Sequence, residues 1–297
     1  MKIAELYRGD KKIFSFEFFP PKTDKGETLL FEEIVRLKAL APSFVTCTYG
    51  AMGTTRDNTI RIVEKIKSEI GLEVAAHLTG IAHSKQEIDN ILAELESKGI
   101  ENIVALRGDY PKSEINFKPH PDGFHYASEL VHYIRRHPRY GQKFSLAVAG
   151  YPEGHIECRD KEKDLEHLKR KVDEGADVII TQLFFVNRDY FGFVERARRA
   201  GIKLPIVPGI MPVTNGAQIQ KFSEMCGAFI PPPLREAILK CGEDQRAIEA
   251  YGIQFATRQC EELLKKGAPG LHFYTLNKSH ATRQIYLNLG LPQKFSV

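Results

Sequence analysis

Residues 161–210 read KEKDLEHLKRKVDEGADVIITQLFFVNRDYFGFVERARRAGIKLPIVPGI. This stretch holds two successive helix-then-strand units. A charged segment of helical spacing, Asp160 to Gly175, ends in glycine and runs straight into GADVII. Asn187 to Gly201 does the same into GIKLPIVPG. Glycine just past the last periodic residue is a helix stop. The run Val178–Phe185 is almost continuously apolar, as strands buried on both faces are. Repetition of such units builds a parallel sheet wrapped in helices.

The alternation extends outward to both ends. Further β-type runs lie at Phe14–Phe19, Phe44–Tyr49, Leu72–Leu78, Asn102–Arg107, Phe144–Ala149, Leu204–Ile210 and Leu271–Leu276, eight in all. Helical stripes intervene. Leu30, Ile34, Leu37 and Leu40 recur at three and four, as do Ile88, Ile91, Leu92 and Leu95. Eight strands alternating with helices predict an α/β fold, the (β/α)8 TIM barrel, for which ~250 residues is typical. The rival is an open doubly wound sheet. It is disfavoured because no Gly-rich phosphate turn follows any strand. The long gap from Thr214 to Gly270 predicts a helical insertion before strand eight, with helices around Pro233–Cys241 and Gln245–Lys266. We expect a single catalytic domain over residues 1–297.

Composition bounds the function classes. Of 297 residues, 42 are Lys or Arg and 38 are Asp or Glu, leaving a net charge of +4. That balance, with no massed basic patch, points away from nucleic acid. Five cysteines, none in a C-x-x-C pair, argue against a disulfide framework and a zinc ribbon. His155 and Cys158 lack further ligands at suitable spacing, so no metal is expected. No apolar run reaches the ~18 residues of a membrane span. A cytoplasmic location is expected.

Barrel chemistry sits at the C-terminal ends of the strands. Those ends carry Glu17, Thr48, Tyr49, His77, Thr79, Arg107, Asp109, Tyr151, His155, Gln182 and Asn277. Glu17 lies among Phe14, Phe16, Phe18 and Phe19, and alternation puts it on one face with Ser15. A carboxylate desolvated there is expected to have a raised pKa, as a general acid needs. A buried ion pair is the other reading. Asp109 reads as a ligand contact or as a turn residue. Gly108 permits close backbone approach to a flat ligand. His77 alone reads first as a satisfied core histidine.

The strand ends SFEFFPPKT, TYGAMGTTRDNT, AAHLTG, NIVALRGDYP, AVAGYPEGH, ITQLFF, PGIMP and GLHFYTLNKS, in this order, closely resemble the methylenetetrahydrofolate reductase family. The resemblance runs from about residue 12 to residue 290. It implies a TIM-barrel flavoprotein that binds FAD without a Rossmann motif. It implies reduction of 5,10-methylenetetrahydrofolate to 5-methyltetrahydrofolate by NADH or NADPH in a ping-pong cycle, serving one-carbon metabolism and methionine biosynthesis. Glu17 matches the family's general acid, and Asp109 the anion beside flavin and pterin. Gln182, Thr48, Lys278 and Tyr274 match substrate contacts. FAD contacts carry over to Thr48, His77, Arg107, Gly108, Asp109, Tyr126, Ala127, Tyr151, His155, Asp164 and Lys171. The resemblance also implies a homo-oligomer and, in some members, a redox partner subunit.

Two positions depart from the pattern. Gly216 stands where bacterial relatives often carry Phe, and Lys278 where Arg is frequent. The chain ends at Val297, so no C-terminal regulatory domain sensing adenosylmethionine is expected. Two alternatives stand beside this reading: another TIM-barrel flavoprotein of the proline dehydrogenase type, and a non-catalytic folate- or flavin-holding subunit of a larger complex.

Overall fold

The computed structural model describes residues 1–49, 54–109, 117–158 and 160–291. Residues 50–53 of the TYGAMGTTRDNT motif, and Tyr110 and Pro111 of NIVALRGDYP, lie outside them.

All strands are parallel and belong to one sheet. They are β1 (Ile13–Phe18), β2 (Phe44–Cys47), β3 (Val74–Thr79), β4 (Asn102–Leu106), β5 (Ser145–Gly150), β6 (Val178–Thr181), β7 (Ile206–Val207), β8 (Gly209–Ile210) and β9 (Gly270–Tyr274). Their order is β7-β6-β5-β4-β3-β2-β1-β9-β8. Since β7 and β8 are separated only by Pro208, the sheet closes into the expected barrel.

The predicted seventh strand is thus two short ones. Proline has no amide to donate, and the ladder changes partner at that residue. Ile206 and Val207 pair with β6, whereas Gly209 and Ile210 pair with β9. The Pro208 carbonyl still accepts from His272 N at 3.0 Å.

Helices α2 (Asp24–Lys38), α3 (Thr54–Lys65, continued by a π-helical turn over Ile66–Ile70), α4 (Lys85–Ser97), α5 (Ala127–Arg136), α6 (Lys161–Asp173) and α7 (Asn187–Arg199) connect successive strands. The Ser84 side chain caps α4 in a reciprocal box with Glu87, which explains why that helix starts where it does. The connection from β8 to β9 holds three helices, α8 (Gly216–Cys226), α9 (Pro232–Cys241) and α10 (Gln245–Lys265). Sequence periodicity reveals the last two. It misses α8, whose first residue is glycine and whose cap is the Asn215 side chain. Helix α11 (His280–Asn288) follows β9.

Alternate residues along each strand divide between two cores. Phe16, Phe18, Val45, Cys47 and Phe273 face the helices. Ile13, Phe44, Ala75, Val104, Ala147, Val178 and Val207 fill the lower barrel interior together with Ile3. A short N-terminal helix, α1 (Ile3–Leu6), supplies that Ile3. Its amides are taken up by barrel side chains: Ile3 N donates to Asn102 Oδ1 at 2.7 Å, and Ala4 N to Ser145 Oγ at 3.1 Å. With one end packed apolar, only the opposite end is free for polar chemistry. Among the described residues, no helix is long and apolar enough to cross a membrane.

Candidate active site

The strand pairing explains the centre of the site. Glu17 on β1 stands opposite Thr46 on β2 and Tyr274 on β9, and Ser15 stands opposite His272. Alternation turns Ser15 and Glu17 inward, so Glu17 is only 6% exposed. Thr46 Oγ1 donates to its Oε2 at 3.2 Å. His272 Nε2 lies 3.3 Å from the same oxygen, and Ser15 Oγ 2.8 Å from His272 Nδ1. His77 Nε2 on β3 approaches Oε2 at 3.2 Å, without the alignment of a hydrogen bond.

These neighbours correct one expectation. Burial raises the Glu17 pKa, as the phenylalanine context suggests, and it is the largest single influence. The combined attraction of His77 and His272 outweighs it and holds the carboxyl down at about 2. The phenylalanines were misleading because Phe16 and Phe18 point away from the carboxylate, toward the helices. His272 escaped the sequence reading, which placed Ser15 on the Glu17 face without giving it a partner. The signal was present: stepping back two residues from Tyr274, and two from Glu17, stays on the inner face.

Around this centre lie the other rim residues. The Tyr274 hydroxyl donates to the Thr181 carbonyl at 2.7 Å, and its ring meets His272 edge-on at 5.2 Å. Gly209 makes room for it, since a Cβ there would sit 2.6 Å from the Tyr274 ring and 2.2 Å from Thr181 O. Gln182 follows β6, and its Oε1 accepts from Leu183 N at 2.9 Å. Thr48 follows β2, its amide bound to Phe18 O at 2.9 Å. Asn277, with φ +58°, clasps both the amide and the carbonyl of Phe19 at 2.8 Å. That fixes the turn after β1. Lys278 beside it is exposed.

A second cluster forms at the ends of β4 and β5. Arg107 pairs with Glu157 through two contacts of 2.6 and 2.9 Å. Gly108 takes φ +90°, and a Cβ there would press on Thr79 at 2.9 Å. Asp109 is exposed, close enough for its charge to push the Tyr151 hydroxyl up, behind the larger effects of burial and Asp164. Tyr151 meets His155 edge-on at 4.6 Å, and Lys171 Nζ stands 5.7 Å from the Tyr151 ring.

Lys171 reaches back from α6 to donate to Ala149 O at 2.6 Å. Burial lowers its pKa to about 8, against the pull of Asp164. Burial raises Asp164 in turn, opposed by Lys171. Burial also lowers His155, against the nearby Glu157. A half-buried ammonium, an imidazole and a guanidinium at one corner, beside a glycine with no room for a side chain, form a polar cradle for an anion.

The structure therefore brings together Glu17, His77, Gln182, Thr48 and Tyr274 at the barrel mouth. It gathers Arg107, Gly108, Asp109, Tyr151, His155, Asp164 and Lys171 beside them. It does not gather Tyr126 and Ala127. They open α5, and Tyr126 is 59% exposed. No described hydrogen bond or ring contact ties them to the cluster. Gly216 begins α8, and a Cβ there would touch Ile238 at 3.0 Å. The insertion thus packs an aliphatic side chain against this position.

A profile of the family described as methylenetetrahydrofolate reductase matches residues 2–290. The chain is 40% identical over 299 residues to "Methylenetetrahydrofolate reductase (NADH) 1" of Arabidopsis thaliana, covering 98% of this chain and 50% of that protein. It is 40% identical over 277 residues to "5,10-methylenetetrahydrofolate reductase" of Escherichia coli strain K12, covering 93% of this chain and 90% of that one. The chain spans about half the length of the plant relatives it matches. Among solved structures, an uncharacterized protein from Clostridium thermocellum that binds two copies of 5-methyl-5,6,7,8-tetrahydrofolic acid shares the fold. Its TM-score is 0.60 at 15% identity, covering 94% of this chain and 95% of that one.

Proposed function

Because the chain belongs to the methylenetetrahydrofolate reductase family, we propose that it reduces 5,10-methylenetetrahydrofolate to 5-methyltetrahydrofolate. The electrons come from NADH or NADPH by way of FAD, the two substrates using one barrel mouth in turn. The observation that carries this reading is Glu17. It is a buried carboxylate at the open end of the barrel, held among groups that exchange protons.

The residues present fit the flavin. Lys171, Arg107 and His155 would hold its phosphates and ribose. The left-handed turn at Gly108 would let backbone approach its ring, and Tyr151, Asp164, Thr48 and His77 would line the remainder. When bound, FAD supplies a two-electron acceptor and hydride donor. The protein supplies protons, charge and orientation.

Opening the methylene bridge requires a proton on the ring nitrogen that leaves, and Glu17 gives it. In the free protein Glu17 is ionised. A pterin seated in the mouth expels water and strengthens the burial that already opposes ionisation, so substrate binding itself calls up the acid form. Asp109 places a fixed negative charge where the iminium cation develops. Gln182 uses its oxygen on Leu183 N, so its amide N–H groups are the ones to meet a substrate carbonyl. The Tyr274 ring supports the bound ring, and Lys278 meets the carboxylates of the folate tail as a point charge without a bidentate fork. All five cysteines are free thiols, which supports a reducing cytoplasm. Self-association and a redox partner subunit follow from the resemblance alone.

The test separates the half-reactions. Glu17→Gln is expected to keep flavin reduction by reduced nicotinamide and to lose folate reduction by about 100-fold or more. Normal folate turnover in that variant overturns the assignment.

A further inference from the structure

Three neighbouring strands each aim one polar side chain at Glu17, and all three meet the same oxygen. Thr46 Oγ1, His272 Nε2 and His77 Nε2 lie 3.2, 3.3 and 3.2 Å from Oε2. No described residue hydrogen-bonds to Oε1. Behind His272 stands Ser15, its Oγ 2.8 Å from Nδ1. Ser15 and His272 are register partners on β1 and β9, and both are 0% exposed. Backbone pairing therefore sets their contact.

A neutral imidazole carries one N–H. Were it on Nδ1, the Nε2 lone pair would face a buried carboxylate oxygen with no water between. Donation from the Ser15 hydroxyl to Nδ1 avoids that and puts the proton on Nε2, aimed at Glu17. An oxygen that already accepts from Thr46 and His272, with the His77 ring against it, has no open direction for an acid proton of its own.

We propose that Ser15 and His272 are positioning residues for Glu17: with Thr46 and His77 they clamp Oε2, and so make Oε1 the oxygen that carries and delivers the proton. The inference rests on Glu17 being the acid. In the step it serves, the Oε1 proton moves to the leaving ring nitrogen. The electron pair of the broken carbon–nitrogen bond stays on that nitrogen, and solvent returns a proton to Oε1 after product departs. The titratable groups facing Glu17 are His77 from β3 and His272 and Tyr274 from β9, with the Cys47 thiol of β2 on the opposite side of the sheet yet within reach of its charge.

The test uses holoprotein labelled with ¹⁵N in its histidine rings. The His272 ring is expected to carry its proton on Nε2 with Nδ1 accepting from Ser15, whereas a proton on Nδ1 overturns the proposal. Ser15→Ala, which removes one buried oxygen, is expected to shift His272 toward the other tautomer. With a donor to the carboxylate lost, the Glu17 pKa rises. The alkaline limb of single-turnover flavin oxidation by methylenetetrahydrofolate then moves up by roughly one pH unit. In Ser15→Ala/His272→Gln, the glutamine amide donates to Oε2 unaided and returns the limb to its parental place.

A purely structural role would lower the melting temperature and leave the limb fixed. If Glu17→Gln abolishes folate reduction but Ser15→Ala moves neither spectrum nor limb, the clamp alone fails. If Glu17→Gln turns over folate normally, the acid reading fails whatever the tautomer.

Discussion

Arg107 and Glu157 hold each other through both terminal guanidinium nitrogens and both carboxylate oxygens, at 2.6 and 2.9 Å. The pairing holds Glu157 below its ordinary carboxylate range, through the hydrogen bonds from Arg107 first. A ligand phosphate arriving at this corner competes with Glu157 for the same donors. Glu157→Gln is therefore expected to tighten dinucleotide binding by about two- to fivefold, the scale of a half-exposed pair. Titration of apoprotein with FAD, followed by flavin fluorescence, checks it, and weaker binding speaks against the corner as a phosphate site.

Lys171 is expected to act in the opposite sense. Its folded pKa is about 8 against an ordinary 10.5, because burial opposes the charge. Between those values the unfolded chain binds more protons, so this group makes stability rise with pH across that window. Lys171→Met removes the slope and weakens dinucleotide binding by about tenfold or more. Urea melts of apoprotein at pH 7.5 and 10 read the first effect, and flavin titration the second.

Glu153 supplies a third, separate pH effect. Both its oxygens accept from Phe229 N at 3.2 Å, joining the loop after β5 to the α8–α9 connection. Burial raises its pKa from 4.5 to about 7, against the pull of that amide. Here the folded state binds more protons between pH 4.5 and 7, so stability from this group falls as pH rises through the window. Glu153→Gln keeps an acceptor for Phe229 and is expected to flatten that fall. Equal pH slopes in parent and variant contradict the assignment.

Gly209→Ala tests the closure of the barrel. The added methyl would lie 2.2 Å from the Thr181 carbonyl and 2.6 Å from the Tyr274 ring. We expect a loss of about 3 kcal/mol, a melting temperature lower by roughly 6–12 °C, and impaired folate binding as Tyr274 is displaced. Calorimetry and a folate titration measure the two effects separately.

Most of the barrel was legible because buried parallel strands announce themselves as apolar runs between glycine-stopped helices. The rim was legible too, since strand ends are where polar residues break those runs. Three things were not. The switch of partners at Pro208 is a property of the closed sheet, and periodicity reports only that the segment is extended. Helix α8 opens on glycine and carries a single fully buried apolar residue, Ile219, so it lacks a stripe. The ionised state of Glu17 depends on His77 and His272, 60 and 255 residues away in the chain. Neighbours in sequence named the carboxylate, and neighbours across the sheet set its charge.

The break at Pro208 has a consequence for how the wall is held. Elsewhere adjacent staves are laced by rows of amide-to-carbonyl contacts. Here the two ends of the sheet are joined by the chain itself, running through a residue that accepts from His272 N but has no amide to donate. Side chains take over the lacing at this seam: the Tyr274 hydroxyl donates to Thr181 O, and the Thr181 hydroxyl oxygen accepts from Gly209 N at 2.9 Å. Set directly beneath the rim, these two contacts hold the shape of the mouth where the ladder is interrupted.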